Sequence, residues 1–139
     1  MKNIILFYVF ICVLHSCESS CDDLTTKFLN DSGKRIEITS YKRYYPNIVS
    51  PTISKKFITD NKSDLQQIDK VCSPEVPYLD IGNLFEGDSI VIDFGDKRIR
   101  YGIKNLSSPR NPFYLAQINR NQLNFTYTLT PEDYANALP

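Results

Sequence analysis

Leu123, Phe125, Tyr127 and Leu129 alternate with Asn124, Thr126 and Thr128. A period of two places apolar side chains on one face of a β-strand and polar ones on the other, which a helix cannot reproduce. The pattern recurs. Ile90, Ile92 and Phe94 share a face, Gly95-Asp96 supplies a turn, and Ile99, Tyr101 and Ile103 point one way on a return strand while Arg98, Arg100 and Lys104 point the other. This predicts a half-buried antiparallel hairpin with a charged outer face. Thr26 and Phe28 alternate with Lys27, Asn30-Asp31-Ser32-Gly33 is a turn cluster, and Ile36 and Ile38 share a face of Arg35–Thr39. Two short strands joined by such a turn predict a second β-hairpin.

The remaining segments are mostly short and strand-like. Thr52 to Thr59 predicts a strand with Ile53 and Phe57 as its apolar contacts. Pro46 and Pro51 make residues 42–51 a loop or a broken edge strand. Leu65, Ile68 and Cys72 have helical spacing, but Asp64 to Cys72 lies between hairpins and is assigned as a strand. Tyr78 to Ile81 reads as a short strand, residues 105–112 as a long loop, and Phe113 to Ile118 as a strand or a single helical turn. Thr130 as N-cap, Pro131 at the first helical position and Glu132 and Asp133 in the first turn predict a short C-terminal helix. About seven strands with turns between them predict an all-β fold. The expected architecture is an antiparallel β-sandwich or small barrel with a short C-terminal helix.

The N-terminus has a different character. Met1-Lys2-Asn3 carries one positive charge ahead of an eleven-residue apolar run, Ile4 to Leu14. A membrane-spanning helix needs about 20 apolar residues, so the run is a signal-peptide core rather than a span. Leu14-His15-Ser16-Cys17 resembles the lipobox of bacterial lipoproteins. The resemblance implies that residues 1–16 are cleaved, that Cys17 carries the lipid (palmitate-type acyl chains), that residues 17–24 are a tether, and that residues 25–139 form one β-rich domain. Each buried methylene contributes about 0.8 kcal/mol, so the two or three chains of a bacterial lipoprotein anchor it stably. Acidic residues soon after the cysteine, in Glu18-Ser19-Ser20-Cys21-Asp22-Asp23, resemble a surface-export signal of Bacteroidetes lipoproteins. The hairpin Asp88–Tyr101, the tail Phe125–Ala137 and the Asn30–Gly33 turn resemble parts of small uncharacterised Bacteroidetes lipoproteins. That likeness implies a compartment, the cell envelope with the protein anchored to the outer membrane at its periplasmic face or on the cell surface. It implies no activity.

Cleavage would also change the available chemistry. Sixteen basic and sixteen acidic side chains balance, and loss of Lys2 leaves fifteen against sixteen, a net −1. Such a surface exerts no overall pull on nucleic acid. The single histidine, His15, lies in the leader, so a mature chain would hold no imidazole as base, metal ligand or nucleophile activator. No enzyme activity, metal or cofactor is expected. Cys21 and Cys72 then admit two states: a disulfide, or a free Cys21 in a mobile tether with Cys72 buried. Asp88, Asp93 and Asp96 are carboxylates of the kind that turns and strand ends favour. Tyr41-Lys42-Arg43-Tyr44-Tyr45 interleaves cations with aromatic rings, a surface suited to a protein or glycan partner. Asp88-Ser89-Ile90 resembles the Bacteroidetes O-glycosylation pattern, which marks Ser89. The expected role is a lipid-anchored structural or partner-binding domain. The alternative is an inhibitor or immunity-type lipoprotein that blocks a secreted toxin or hydrolase through a rigid loop at 105–112.

Overall fold

The computed structural model describes residues 21–42, 52–72, 81–104, 108–119 and 122–139. Among these residues the alternating segments form seven strands: β1 (Asp22–Asn30), β2 (Ile36–Lys42), β3 (Thr52–Thr59), β4 (Asp64–Val71), β5 (Ser89–Asp93), β6 (Arg98–Gly102) and β7 (Asn124–Leu129). Three short helices accompany them: α1 (Ile81–Phe85), α2 (Pro112–Ile118) and α3 (Pro131–Ala135). The strands make a three-stranded sheet, β4-β1-β7, and a four-stranded sheet, β3-β2-β5-β6. The fold is therefore a sandwich and not a closed barrel. One pair departs from the antiparallel expectation: β7 runs parallel to β1, with Thr25 beside Asn124 and Asn30 beside Leu129.

The predicted β5–β6 hairpin forms in the expected register, with Ile90 opposite Tyr101 and Ile92 opposite Ile99. The predicted hairpin over residues 25–39 does not form. β1 pairs with β4 and β7, while β2 pairs with β3 and β5, so the Asn30–Gly33 turn carries the chain from one sheet to the other. β3 and β4 are divided between the sheets in the same way. The two crossings meet at the fully buried side chain of Asn30. Its amide nitrogen lies 2.8 Å from the Lys34 carbonyl, 3.1 Å from that of Thr59 and 3.1 Å from that of Asp60. Its oxygen accepts from the Ser32 N–H at 3.2 Å and the Ser32 hydroxyl at 2.7 Å. Backbone bonds Lys62 N–H to Asn30 O (2.7 Å) and Asp31 N–H to Leu129 O (2.8 Å) complete the corner. Gly33, at φ +81, makes the reversal in a region that residues with a Cβ rarely adopt.

Between the sheets, Phe28 stacks on Tyr127 with centroids 5.4 Å apart and meets the edge of Phe85, also at 5.4 Å. Phe85 belongs to α1, which also buries Ile81 and Leu84 and touches β1, β4 and α2. Ile81 was expected in a strand with residues 78–80. It is helical, and 78–80 lie outside the described residues. α2 settles the strand-or-helix alternative at Phe113–Ile118. Asn111 caps it by accepting from the Phe113 N–H at 3.0 Å, and Pro112, expected in the preceding loop, is its first residue. Ile103 was expected to point inward with Tyr101, yet it is 51% exposed, because β6 ends at Gly102 and the chain turns there.

The sandwich begins earlier than the tether boundary at residue 24 implied. Asp22–Leu24 are the first residues of β1, and Leu24 is buried. Asp22 pairs with Val71, which brings the next residue on each strand together, and Cys21 and Cys72 form a disulfide with Cα atoms 4.1 Å apart. The bond spans a sequence separation of 51. A loop of that size contributes about 4 kcal/mol in the chain-entropy view.

Two stability predictions follow from these fastenings. Asn30→Leu strands the three carbonyls and should cost about 3 kcal/mol, seen as a lower urea midpoint with an unchanged slope. A loss below about 1 kcal/mol would mean that the sheet crossings hold without the amide. Cys72→Ser should lose about 4 kcal/mol, and reductant should bring the wild-type protein down to the same level. Unfolding curves that ignore both changes would show that the bond contributes nothing.

Candidate functional site

β2 and β5 are the inner strands of the four-stranded sheet, and Ile36, Ile38, Ser40, Ile90 and Ile92 point into the core. Alternation therefore turns Glu37, Thr39, Tyr41, Ser89, Val91 and Asp93 outward. Register places Ile53, Tyr41, Ser89 and Gly102 in one row across the sheet. The next row is Lys56, Thr39, Val91 and Arg100, and the third is Ile58, Glu37, Asp93 and Arg98. Two ion pairs cross this face, Lys56–Glu37 at 2.9 Å and Arg98–Asp93 at 2.7 Å. On the β3 side of the same face are two exposed aliphatic side chains, Ile53 at 53% and Ile58 at 61% exposure.

The predicted aromatic-basic patch is placed in part. Tyr41 is half-buried at the end of β2 and Lys42 is exposed beside it, while Arg43, Tyr44 and Tyr45 lie outside the described residues. Ser89 opens β5 with a half-buried hydroxyl that donates to Asp88 at 3.2 Å. Gly102 stands opposite it, where an added Cβ would come within 3.0 Å of the Ser89 Cβ. The strands thus approach closely in the row that holds Tyr41.

At the far end of the face an open groove of about 470 Å³ lies between Arg35, Glu37, Ile58, Asp93, Phe94 and Gly95. Its carboxylate Asp93 accepts the Gly95 N–H at 2.7 Å, and that bond, with Arg98 adding to it, holds the group below its ordinary range. Asp96 is held down chiefly by the Tyr134 hydroxyl, which donates to it at 2.6 Å. Asp88 sits at the opposite end of β5. The three hairpin carboxylates therefore do not converge. Among the described residues no three His, Cys, Asp or Glu side chains come together as a metal site.

Among the described residues the most buried charge is one that the sequence did not single out. Asp133 was read as an acid in the first turn of the C-terminal helix, which it is, but it is only 3% exposed. It completes a capping box with Thr130, accepting the Thr130 N–H at 2.8 Å and its hydroxyl at 3.0 Å. The Thr130-x-x-Asp133 spacing is the signal that could have found this. Arg110 closes the pair, with Nη2 2.7 Å and Nε 3.1 Å from the carboxylate, and donates to the Thr128 carbonyl at 2.7 Å. Its guanidinium also lies over the Tyr127 ring, 5.1 Å from the centroid. Burial pushes Asp133 up, but the Arg110 and Thr130 donors outweigh it and leave the group below its ordinary value. Burial raises Tyr101 and Tyr127 beside it. A carboxylate ionised at neutral pH, with both oxygens occupied by the protein's own donors, has no proton to give and no lone pair directed at a substrate. This is a structural clasp. It also ties down Ser108–Asn111, the described part of the loop that an inhibitor would need to protrude; residues 105–107 lie outside the described residues.

Among the described residues no helix is long and apolar enough to cross a membrane. No protein-family model matches the chain, and no curated protein or solved structure is significantly similar to it.

The clasp has a defined pH signature. The folded Asp133 value lies below the unfolded value of about 3.9, so its contribution is complete above about pH 4 and fades as pH falls through the folded value. Arg110→Ala leaves a buried, unpaired carboxylate and should destabilise by about 3 kcal/mol at neutral pH. The gap between variant and wild type should narrow toward pH 3 in urea unfolding. A gap that is the same at both pH values would contradict an electrostatic clasp.

Proposed function

We propose that the chain is a lipid-anchored lipoprotein of the cell envelope whose β-sandwich is a non-enzymatic, partner-binding or structural module. The observation that carries the reading is Leu14-His15-Ser16-Cys17, placed directly after an eleven-residue apolar run. Its position relative to the domain supports it, since only Glu18, Ser19 and Ser20 separate Cys17 from the disulfide-bonded Cys21, directly before β1. A lipidated Cys17 supplies all the membrane affinity such a small domain needs. The non-enzymatic part rests on the absence of histidine after Cys17 and on the saturation of Asp133 by its own donors. Partner binding is best supported at the outer face of the four-stranded sheet. There Tyr41 and Ile58 lie among Lys56, Arg98 and Arg100, which suits a protein or glycan surface rather than a buried small molecule. An inhibitor with a rigid projecting loop gains no support, because Arg110 and Asn111 hold their part of that loop against the domain.

Cys17→Ser decides the anchor. Wild-type protein should partition with the membrane fraction and incorporate labelled palmitate, and the variant should do neither. A variant that stays membrane-bound and labelled removes the lipoprotein reading.

A further inference from the structure

The four Cys17–Cys21 steps span at most about 14 Å when fully extended. β1 has nine residues and runs about 30 Å from the Cys21 end of the sandwich to the Asn30 end. If Cys17 sits in a bilayer, as the proposed function holds and on which this inference rests, the Cys21 end is held within about 14 Å of the lipid, while the tether does not hold the Asn30 end near it. β2 and β6 run toward that end, β3 and β7 start from it, and α2 leads the chain from β6 to β7. The topology therefore gathers Ile53, at the start of β3, Ile103, just past β6, and Ile118, the last residue of α2, at the end that the tether serves. All three are large aliphatic side chains left 51–57% exposed. Ile68 is 57% exposed too, but it lies along the side of β4 opposite Thr25, and Ile58 and Leu138 are exposed toward the Asn30 end, which the tether does not hold near the lipid.

We propose that the Cys21 end of the sandwich seats on the lipid surface, with Ile53, Ile103 and Ile118 entering the interface between headgroups and acyl chains. The disulfide makes the seating stiff, because it fastens β1 to β4 at the first residue of the domain. The same end carries both signs of charge, Lys42, Lys70 and Lys104 with Asp22, Asp23 and Asp88. The long lysine side chains can keep their amines in the headgroup layer while their stems lie on lipid. With the signs nearly balanced, seating should be almost indifferent to lipid charge. It would leave the Asn30 end pointing away from the membrane.

The chain contains no tryptophan, so a single introduced indole reports alone. Ile103→Trp, Ile118→Trp and Ile58→Trp are prepared in the full lipidated chain and reconstituted in phosphatidylcholine vesicles with plain or acyl-brominated chains, and flotation is run on the same samples. Brominated lipid should cut emission at positions 103 and 118 about twofold or more and at position 58 by less than roughly a tenth, with or without added phosphatidylglycerol. Floating protein with no quenching at 103 and 118 overturns the seating and leaves the anchor standing. Blue-shifted but unquenched emission there overturns it too, because the isoleucines are then covered by protein, such as a second copy. Equal quenching at position 58 removes the orientation. Protein that does not float removes the anchor and the seating together.

Discussion

One buried amide decides how the strands are shared between the two sheets. Asn30 closes β1, and its side chain reaches the carbonyls of Lys34, Thr59 and Asp60. These acceptors belong to two different turns, each of which carries the chain from one sheet to the other. A turn that crosses between sheets exposes backbone groups that a hairpin would pair within its own ladder. In the interior such groups need partners. Asn30 supplies them for both turns at once, with two N–H groups shared among three carbonyls. The aromatic core of Phe28, Tyr127 and Phe85 can then close between sheets whose separation and offset are already set at one end.

Strand periodicity was legible because face selection is local. Most apolar residues at alternating positions, Phe28, Ile36, Ile38, Ile90, Ile92, Phe125 and Tyr127 among them, are buried, while Leu123 and Ile99 are half-buried and Ile103 is exposed where its strand has ended. Neighbour selection was not legible. Asn30-Asp31-Ser32-Gly33 has the residues of a tight turn whether it joins two strands of one sheet or changes sheets, and only the distant Thr59 and Asp60 decide between these. The parallel partnership of β1 with β7 had no local signature either. α2 was ambiguous by periodicity, and its Asn111-Pro112 start is the feature that resolves it. At the site, Tyr41 and Lys42 could be marked from composition. The flat face around them could not, because Ile53, Ser89 and Gly102 join Tyr41 only through register. Arg110 and Asp133 are 23 positions apart, and no short-range pattern connects them.

Three long-range fastenings hold a domain of modest size: the Asn30 corner, the Cys21–Cys72 bond and the Arg110–Asp133 clasp. They differ in kind. The first is neutral and indifferent to ordinary pH, the second answers to redox conditions, and the third fades in acid. The surface ion pairs add little to this, because exposed pairs are worth at most about 1 kcal/mol.

β1 is the middle strand of its sheet, yet its parallel neighbour β7 lies about 100 residues further along the chain, with Thr25 beside Asn124. Loop closure over such a distance comes before any reward from the contact, which slows folding. During synthesis β1 must therefore wait for β7, the last of the described strands. Until residues 124–129 appear, the inner face of Leu24, Thr26 and Phe28 has only β4 beside it, on one side. The smaller sheet is thus completed only by its last strand in sequence. The chain therefore acquires this sheet in full only when residues 124–129 are present.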